Sequence, residues 1–542
     1  MKAFIEKNHK ALFYFSWLLL NLIQSTFTGL LDDEAYYWVY SRFLDWGYFD
    51  HPPMVALMIK AGYALFPNPH GVRLLTVLMS TATLVMIDSL LDKRNDKLFY
   101  AIAASMFVLQ VGGIITVPDL PLMFFTGLYF MVFKRFIAKP SWGIAALMGV
   151  VIALMLYSKY HGILIVFFTL LSYPRLLRMG QTWLAAIIAA ILFAPHILWQ
   201  FLHGMPSVNY HLFERNAGAY KFSFTSEYIL GQIALAGPLI GWLLLYAAFT
   251  RKPENPFEKT LKWTTLGIYV TFLIATLKGR VEANWTVPAF IGLIVLAHQQ
   301  ISGGRWERLV YKLLLPTLAL ILAARIYLAL DIVPATWLKK DEFHKTREWA
   351  QAIRDSAHGL PVLFLDSYQK PSQYWFWSGD TSFGLNTLRY RRNNYNFWPL
   401  EERYQGRRVY VVSDTGALIP TLRGNTKSRI VRGMVVDSFY SHATRNISAA
   451  GPLTYSGKTI SQEVHGVYQP ISARAVLILY RKGNTVAQVV PATHRWHDSV
   501  PGVMSADLSS VTPGQYKARW GFETAVKDRP TMNSLEFEVD IK

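Results

Sequence analysis

The chain has 542 residues, of which 52% are hydrophobic, 15% aromatic and only 16% charged, where a soluble domain carries about 25% charged residues. This composition excludes a disordered chain and a coiled coil, and the lack of cysteine excludes a disulfide scaffold, a thiolate zinc site and a cysteine nucleophile. The net charge of +19 would suit a nucleic-acid partner, but no nucleic-acid motif accompanies it and its distribution along the chain has another origin.

Taken in chain order, the apolar residues fall in charge-free blocks before about residue 330. Ala11–Leu31 is free of charge over 21 residues, and about 20 apolar residues suffice for a helix to cross the hydrocarbon core. It is too long for a signal-peptide core and lacks an A-x-A cleavage site, so it is read as a retained first span. Leu74–Ile87, Leu98–Val117, Leu120–Phe133, Ser141–Ser158, Gly162–Pro174, Gln181–Leu202, Tyr228–Thr250, Trp263–Leu277, Ala283–Gly304 and Leu313–Ala324 follow, which makes eleven candidate spans. With the N-terminus in the cytoplasm, the inner segments hold 18 Lys/Arg and the longer outer loops 7, the bias expected of an inside-facing N-terminus. Much of the positive charge is thus topological, and everything after about residue 330 is expected outside.

Residues 331–542 contain no spanning block and are expected to form a periplasmic domain. Its first part, about 331–427, reads as α/β: Glu342–His358 is amphipathic, and Pro361–Asp366 and Arg407–Ser413 are short buried-strand runs. From about 428 to 542 the pattern is short strands between turn residues, clearest at Ala475–Tyr480, Tyr516–Phe522 and Leu535–Ile541, and is read as β-sandwich-like.

The outer loops collect the acidic residues Asp32, Asp33, Glu34, Asp45, Asp50, Glu214, Glu227 and Glu282, with Asp119 at a span boundary. The first outer loop concentrates them: Leu31-Asp32-Asp33-Glu34-Ala35-Tyr36-Tyr37-Trp38, then Gly47-Tyr48-Phe49-Asp50-His51-Pro52-Pro53-Met54. A carboxylate at a membrane surface can accept the proton of an incoming hydroxyl. The same residues also suit an acidic helix start followed by an interfacial aromatic belt.

The D-E-A-Y-Y-W run followed by Y-F-D-H-P-P-M resembles the first periplasmic loop of the polyprenyl-phosphate-dependent membrane glycosyltransferases of the type-C (GT-C) fold. That group includes protein O-mannosyltransferases and the lipid A aminoarabinose and galacturonic acid transferases. Weaker matches are Thr116-Val117-Pro118-Asp119-Leu120-Pro121-Leu122, Tyr157-Ser158-Lys159-Tyr160-His161-Gly162 and Gly279-Arg280-Val281-Glu282-Ala283-Asn284-Trp285, so the resemblance covers about residues 10–330. It implies an α-helical polytopic membrane protein of the GT-C fold, with about eleven spans, in a bacterial inner membrane. It also implies an inverting glycosyltransferase that takes a sugar from a polyprenyl (undecaprenyl) phosphate donor. The expected acceptor is a periplasm-facing lipid or glycan such as lipid A or lipopolysaccharide core. No cofactor is called for. Two alternatives stand beside it: transfer to Ser/Thr of exported proteins, and a transporter or lipid flippase. The latter is disfavoured because the carboxylates gather at one face and no repeated half is visible.

The resemblance also implies roles. The family's catalytic base precedes a glutamate, which points to Asp33, with Asp32 its neighbour one step away, and Glu34 orients the loop or the acceptor. The aminoarabinose transferases carry a phosphate-contacting lysine before Pro-Pro; here that position is His51, whose pKa such a contact would raise above about 6.5. An arginine three residues after the family's base is here Tyr36. Lys159, Lys278 and Arg280, at outer ends of spans, are the candidate substitutes on the donor phosphate, or else snorkelling interfacial residues. Asp119, Tyr160, His161, Glu282 and Trp285 complete the candidate set. His196, His203, His211 and Arg215 have no convincing metal spacing, so no metal is assigned, and Arg389, Arg391 and Arg392 are basic residues suited to headgroups or to solvent.

Overall fold

The computed structural model describes residues 2–215, 220–334, 337, 341–413, 432–465, 474–481, 485–497 and 500–541. Contacts divide the chain into two units, Met1–His344 and Lys345–Lys542. The sequence-based division near residue 427 lies outside the described residues.

The first unit is helical throughout. The first apolar block folds as α1 (Lys2–Phe27), and the first outer loop contains α2 (Asp32–Arg42) and α3 (Met54–Leu65). Then come α4 (Pro69–Leu90), α5 (Asp96–Ser105), α6 (Phe107–Gln110), α7 (Asp119–Ala138), α8 (Trp142–Ser158), α9 (Gly162–Ser172), α10 (Gly180–Leu202) and α11 (Pro206–Asn209). A π-turn at Tyr210–Glu214 leads to α12 (Phe222–Ala236), α13 (Gly241–Thr250), α14 (Pro256–Ala275), α15 (Phe290–Ile301) and α16 (Arg305–Ala329). Helix starts follow local chemistry: Asn68, Asn95, Ser141 and Asn255 each accept a first-turn backbone N–H, and Pro69 and Pro256 occupy first helical positions.

Every apolar block is helical, but not every block is one straight span. Among the described residues four helices, α4, α7, α10 and α16, are long and apolar enough to cross a membrane, and six spans result if each of two bent pairs counts once. The difference from eleven lies in broken and short helices. Leu98–Val117 bends by 76° after α5, and Tyr228–Thr250 bends by 95° between α12 and α13. At the second break Gly237 has φ +143° and precedes Pro238, which cannot donate to a helix. A Cβ on Gly237 would stand 2.8 Å from the Ser105 carbonyl oxygen at the end of α5, so glycine lets the two breaks meet. Non-helical backbone at such depth is tolerated because protein covers it. Ala283–Gly304 starts as a 3-10 turn (Ala283–Ala289) and becomes α15, whose residues Phe290–Gln299 are all buried. An all-apolar helix belongs at the centre, and α15 packs on α13, α14, α5, α4 and α7.

In the second unit the amphipathic segment forms α17 (Thr346–Ser356), followed by β1 (Val362–Leu365), α18 (Gln369–Ser378), β2 (Phe383–Leu385), β3 (Val409–Ser413) and β4 (Arg432–Val436). These strands make one sheet in the order β2-β1-β3-β4, with β1 parallel to β2 and β3. Then come β5 (Ser448–Ser456), β6 (Thr459–His465), β7 (Ala475–Arg481), β8 (Thr485–His497), β9 (Val500–Asp507), β10 (Gly514–Phe522) and β11 (Phe537–Ile541). Among the described residues the β-rich part, read from sequence as sandwich-like, forms a seven-stranded sheet in the order β11-β10-β7-β8-β9-β6-β5. Strand β7 is buried on both faces: Leu477 and Leu479 join the Trp520 cluster, while Val476, Ile478 and Tyr480 pack with Leu388 and Met532. That explains its unbroken apolar run.

Candidate active site

The site begins at the corner between α1 and α2. Asp32, Asp33 and Glu34 occupy the first turn of α2, where negative charge suits the partial positive charge of a helix N-terminus. Glu34 is fully buried. Its Oε2 accepts from the Leu31 N–H at 3.0 Å and its Oε1 from the Thr116 N–H at 2.8 Å. Arg73 of α4, equally buried, donates from Nε to Glu34 Oε1 at 2.8 Å and from Nη2 to Oε2. The same guanidinium donates to the carbonyls of Thr28 (2.6 Å) and Gly29 (2.7 Å), satisfying acceptors left over at the end of α1. Glu34 is therefore an anchor whose oxygens are already occupied. Sequence reading passed over Arg73, although an arginine heading an apolar block signals a buried partner.

Pinning Glu34 sets the direction of its neighbour. Asp32 and Asp33 are half-buried. Residues four apart share a helix face, so Asp33 lies on the face of Tyr37, whose ring is 5.6 Å from that of His51. Further along, Tyr36 meets Tyr40 edge-on at 4.7 Å, Tyr40 stacks on Tyr48 at 4.0 Å, and the Tyr40 hydroxyl donates to Asp50. The two first-loop motifs thus fold against each other. Tyr36, Tyr37 and Trp38 are buried inside the protein, not laid out as an interfacial belt, because their helix is covered on the side a belt would expose.

His51 and four other basic side chains, Lys159, His161, His211 and Arg215, gather from distant segments. Asp50, Lys159, His211 and Arg215 act electrostatically on His51, whose ring is 6.5 Å from that of His211, and Lys159, His211, His51 and Arg215 act on His161. The His161 ring sits against Phe272 (4.9 Å) and Trp285 (5.3 Å), and the Arg215 guanidinium lies over the Trp285 ring at 4.4 Å. His211 Nε2 is 3.0 Å from the Asp50 carbonyl oxygen. Lys159 pairs with buried Asp119 at 2.7 Å, and the other Asp119 oxygen accepts from Asn284 at 2.9 Å. Nδ1 of His51 and Nδ1 of His161 are buried without a hydrogen-bond partner.

Burial pushes His51 down to about 3, against the pull of Asp50 and with the help of Lys159, His211 and Arg215. His161 lies well below the ordinary histidine value for the same reason, burial first and Lys159 next, and burial lowers His211 as well. The direction for His51 is thus downward, opposite to the rise expected of a phosphate-bound histidine. The cluster holds a lysine and an arginine beside three imidazoles, two of which have unmet hydrogen-bonding capacity. An anion would complete it.

Tyr160 borders this group, its ring 6.0 Å from that of His211. The Tyr160 hydroxyl joins His196 Nε2 (3.0 Å), Ser207 (2.9 Å) and Gln200 (3.2 Å), and His196 Nδ1 is 2.7 Å from the Trp46 carbonyl oxygen. His203 stacks on Trp199 at 4.1 Å. These residues lock the outer loops together. Lys278 and Arg280 are exposed, and Arg280 faces Glu227 (3.5 Å) and Glu282 (3.9 Å), so none of the three 278–282 candidates joins the histidine cluster. Trp285 does join it. In the second unit Arg391 lies over Tyr368 and Arg392 over Phe397, each at 5.0 Å.

Residues 50–199 match the family described as dolichyl-phosphate-mannose-protein mannosyltransferase. The lipid A galacturonosyltransferase RgtD of Rhizobium johnstonii is 24% identical over 287 residues, which cover 50% of this chain and 60% of that protein. The match therefore spans less than two thirds of that relative. Among solved structures, ArnT from Cupriavidus metallidurans bound to undecaprenyl phosphate superposes with a TM-score of 0.56 at 12% identity, covering 79% of this chain and 98% of that one. Its apo form superposes with the same TM-score over 76% and 93%. The chain has the GT-C fold of ArnT, and the resemblance carried by the first-loop motifs is borne out.

Proposed function

We propose that the protein is an inverting glycosyltransferase of a bacterial inner membrane, moving a sugar from a polyprenyl phosphate to a lipid-linked acceptor, lipid A or another envelope glycan. The observation that carries this reading is the cluster of Lys159, Arg215, His51, His161 and His211, with unpartnered nitrogens on His51 and His161, against Tyr37 on the Asp33 face of α2. Undecaprenyl phosphate bound to the similarly folded ArnT and the lipid A acceptor in the name of RgtD support the two substrate classes. The Lys/Arg bias supports an N-terminus in the cytoplasm and a periplasmic site and C-terminal unit.

In this mechanism the acceptor hydroxyl oxygen bonds to the anomeric carbon while the bond from that carbon to the phosphate oxygen breaks. The electron pair leaves with the lipid phosphate, and the hydroxyl proton passes to Asp33. Lys159 and Arg215 offset the charge that grows on the phosphate. Asp119 is a positioning residue, holding Lys159 in place. Glu34 and Arg73 position Asp33 by fixing the start of α2.

An anion in the pocket favours imidazolium over imidazole, so donor binding raises the His51 pKa from its ligand-free value and takes up a proton. Donor affinity should therefore fall as pH rises through the His51 pKa of the complex. His51→Lys should flatten that fall, and His51→Gln should weaken binding at every pH. Titration of the purified protein with polyprenyl phosphate across neutral pH checks this; identical profiles for wild type and His51→Gln would remove His51 from the phosphate site.

The acceptor is tested by mass spectrometry of envelope lipids and glycoproteins from deletion and wild-type cells. Loss of a glycosyl substituent from lipid A or core is the expected result. Loss from exported proteins alone would favour the second reading, Ser/Thr glycosylation, which the match of residues 50–199 to the protein mannosyltransferase family supports.

A further inference from the structure

We propose that Ser207, backed by Gln200, Tyr160 and His196, is a positioning residue for the donor phosphate. Its hydroxyl holds the main chain of the Tyr48–His51 turn and so sets His51 in one frame with His211 and Arg215. The inference rests on the reading of the histidine cluster as the donor-phosphate site.

Within the turn the Tyr48 N–H donates to the His51 carbonyl at 3.1 Å, and Pro52 and Pro53, which follow, have no N–H. Tyr48, Phe49 and Asp50 are buried, where backbone carbonyls need donors. One short segment, α11 with the π-turn after it, reaches all three carbonyls. The buried Ser207 hydroxyl is 3.1 Å from the Tyr48 oxygen and 2.9 Å from the Phe49 oxygen. His211 Nε2 is 3.0 Å from the Asp50 oxygen. The segment ends at Arg215, whose N–H closes the π-turn on the Tyr210 carbonyl at 2.9 Å. It thus carries two groups of the cluster and holds the backbone that leads to a third.

The Ser207 hydroxyl is itself aimed. The chain reverses at Gly204 and Met205, both at positive φ, which returns Ser207 to the end of α10. There its N–H donates to Gln200 Oε1 at 3.2 Å, and Gln200 Nε2 donates back to Ser207 Oγ at 2.8 Å and to the Tyr160 oxygen at 3.2 Å. The Tyr160 hydroxyl has one hydrogen and two acceptors in reach, His196 Nε2 at 3.0 Å and Ser207 Oγ at 2.9 Å. In either arrangement Ser207 Oγ accepts from behind, and its own single hydrogen is left for the carbonyls of the turn. Alanine would remove the donor that the Tyr48 and Phe49 carbonyls share while leaving the surrounding side chains in place.

The test uses full-length protein in detergent with undecaprenyl phosphate as the probe. Ser207→Ala should weaken its binding about two- to tenfold, the net worth of one hydrogen bond, and Tyr160→Phe should weaken it by less. Placed on top of His51→Gln, Ser207→Ala should cost little more, because the side chain it aims is gone. A general loss of packing would instead make the two effects additive, and that outcome overturns the proposal. Hydrogen exchange reads the turn without the lipid: peptide 44–52 should exchange faster in Ser207→Ala while peptides of α4 and α15 keep their wild-type rates. Unchanged exchange in 44–52 also overturns it. A wild type that does not bind undecaprenyl phosphate overturns the phosphate reading and the proposal together, whereas additivity or unchanged exchange in a protein that binds it overturns the proposal alone.

Discussion

Replacing Asp33 by Asn should cut sugar transfer about 10²–10⁴-fold, the usual worth of a positioned general base, while leaving folding and donor binding near wild type. Asparagine keeps the shape of aspartate and removes its capacity to take a proton. Asp32→Asn should retain most activity, because Asp32 is not on the face that carries Tyr37 toward His51. Single-turnover rates with a purified polyprenyl-phosphate sugar, alongside donor titration, make the comparison. A variant Asp33→Asn that kept more than about a tenth of wild-type turnover would fall outside the range for such a base and remove it from that role. If Asp32→Asn were the inactive variant instead, the base would be its neighbour.

The second large effect is on stability. Arg73→Gln should destabilise the protein by about 3–5 kcal/mol, the cost of leaving one member of a buried ion pair uncompensated. The loss includes the donors that Thr28 and Gly29 receive at the end of α1. Glu34→Gln should cost a similar amount. The double variant Glu34→Gln/Arg73→Met should cost less than the sum of the singles, since it leaves no unpaired charge. Thermal or denaturant unfolding of the detergent-solubilised variants measures the cycle; strict additivity would mean that the two side chains do not act as a pair. Transfer activity of the folded fraction should fall as well, because the turn that aims Asp33 loses its support.

Much of the first unit was legible from composition. Charge-free runs near the length of a bilayer crossing mark helices whichever way they pack, since the backbone must satisfy its own hydrogen bonds in an apolar medium. The helix starts at Asn68, Asn95, Ser141 and Asn255 are local as well. What periodicity could not reveal is where a run stops being straight. The bends after α5 and between α12 and α13 arise where Gly237 meets Ser105, a contact between residues far apart in sequence. The strand β7 was visible as an apolar run, but that both its faces are covered is a property of its neighbours.

At the site, residue types and local order determined the acidic start of the first outer loop, the Asp33–Glu34 step and the His51-Pro52-Pro53 turn. These are contiguous, and contiguous chemistry can be read from a chain. Only the tertiary structure decided which carboxylate is anchored, because Glu34 is chosen by Arg73 from α4 and the Thr116 N–H before α7. It likewise decided which cations converge. Lys159 and Arg215 act on the histidine cluster, whereas Lys278 and Arg280, equally placed by topology, stay at the surface. The sequence by itself determined the kinds of groups available at the outer face; their selection depended on burial and on partners some 40 to 160 residues away, because charge is stabilised by what surrounds it in space and not by its neighbours along the chain.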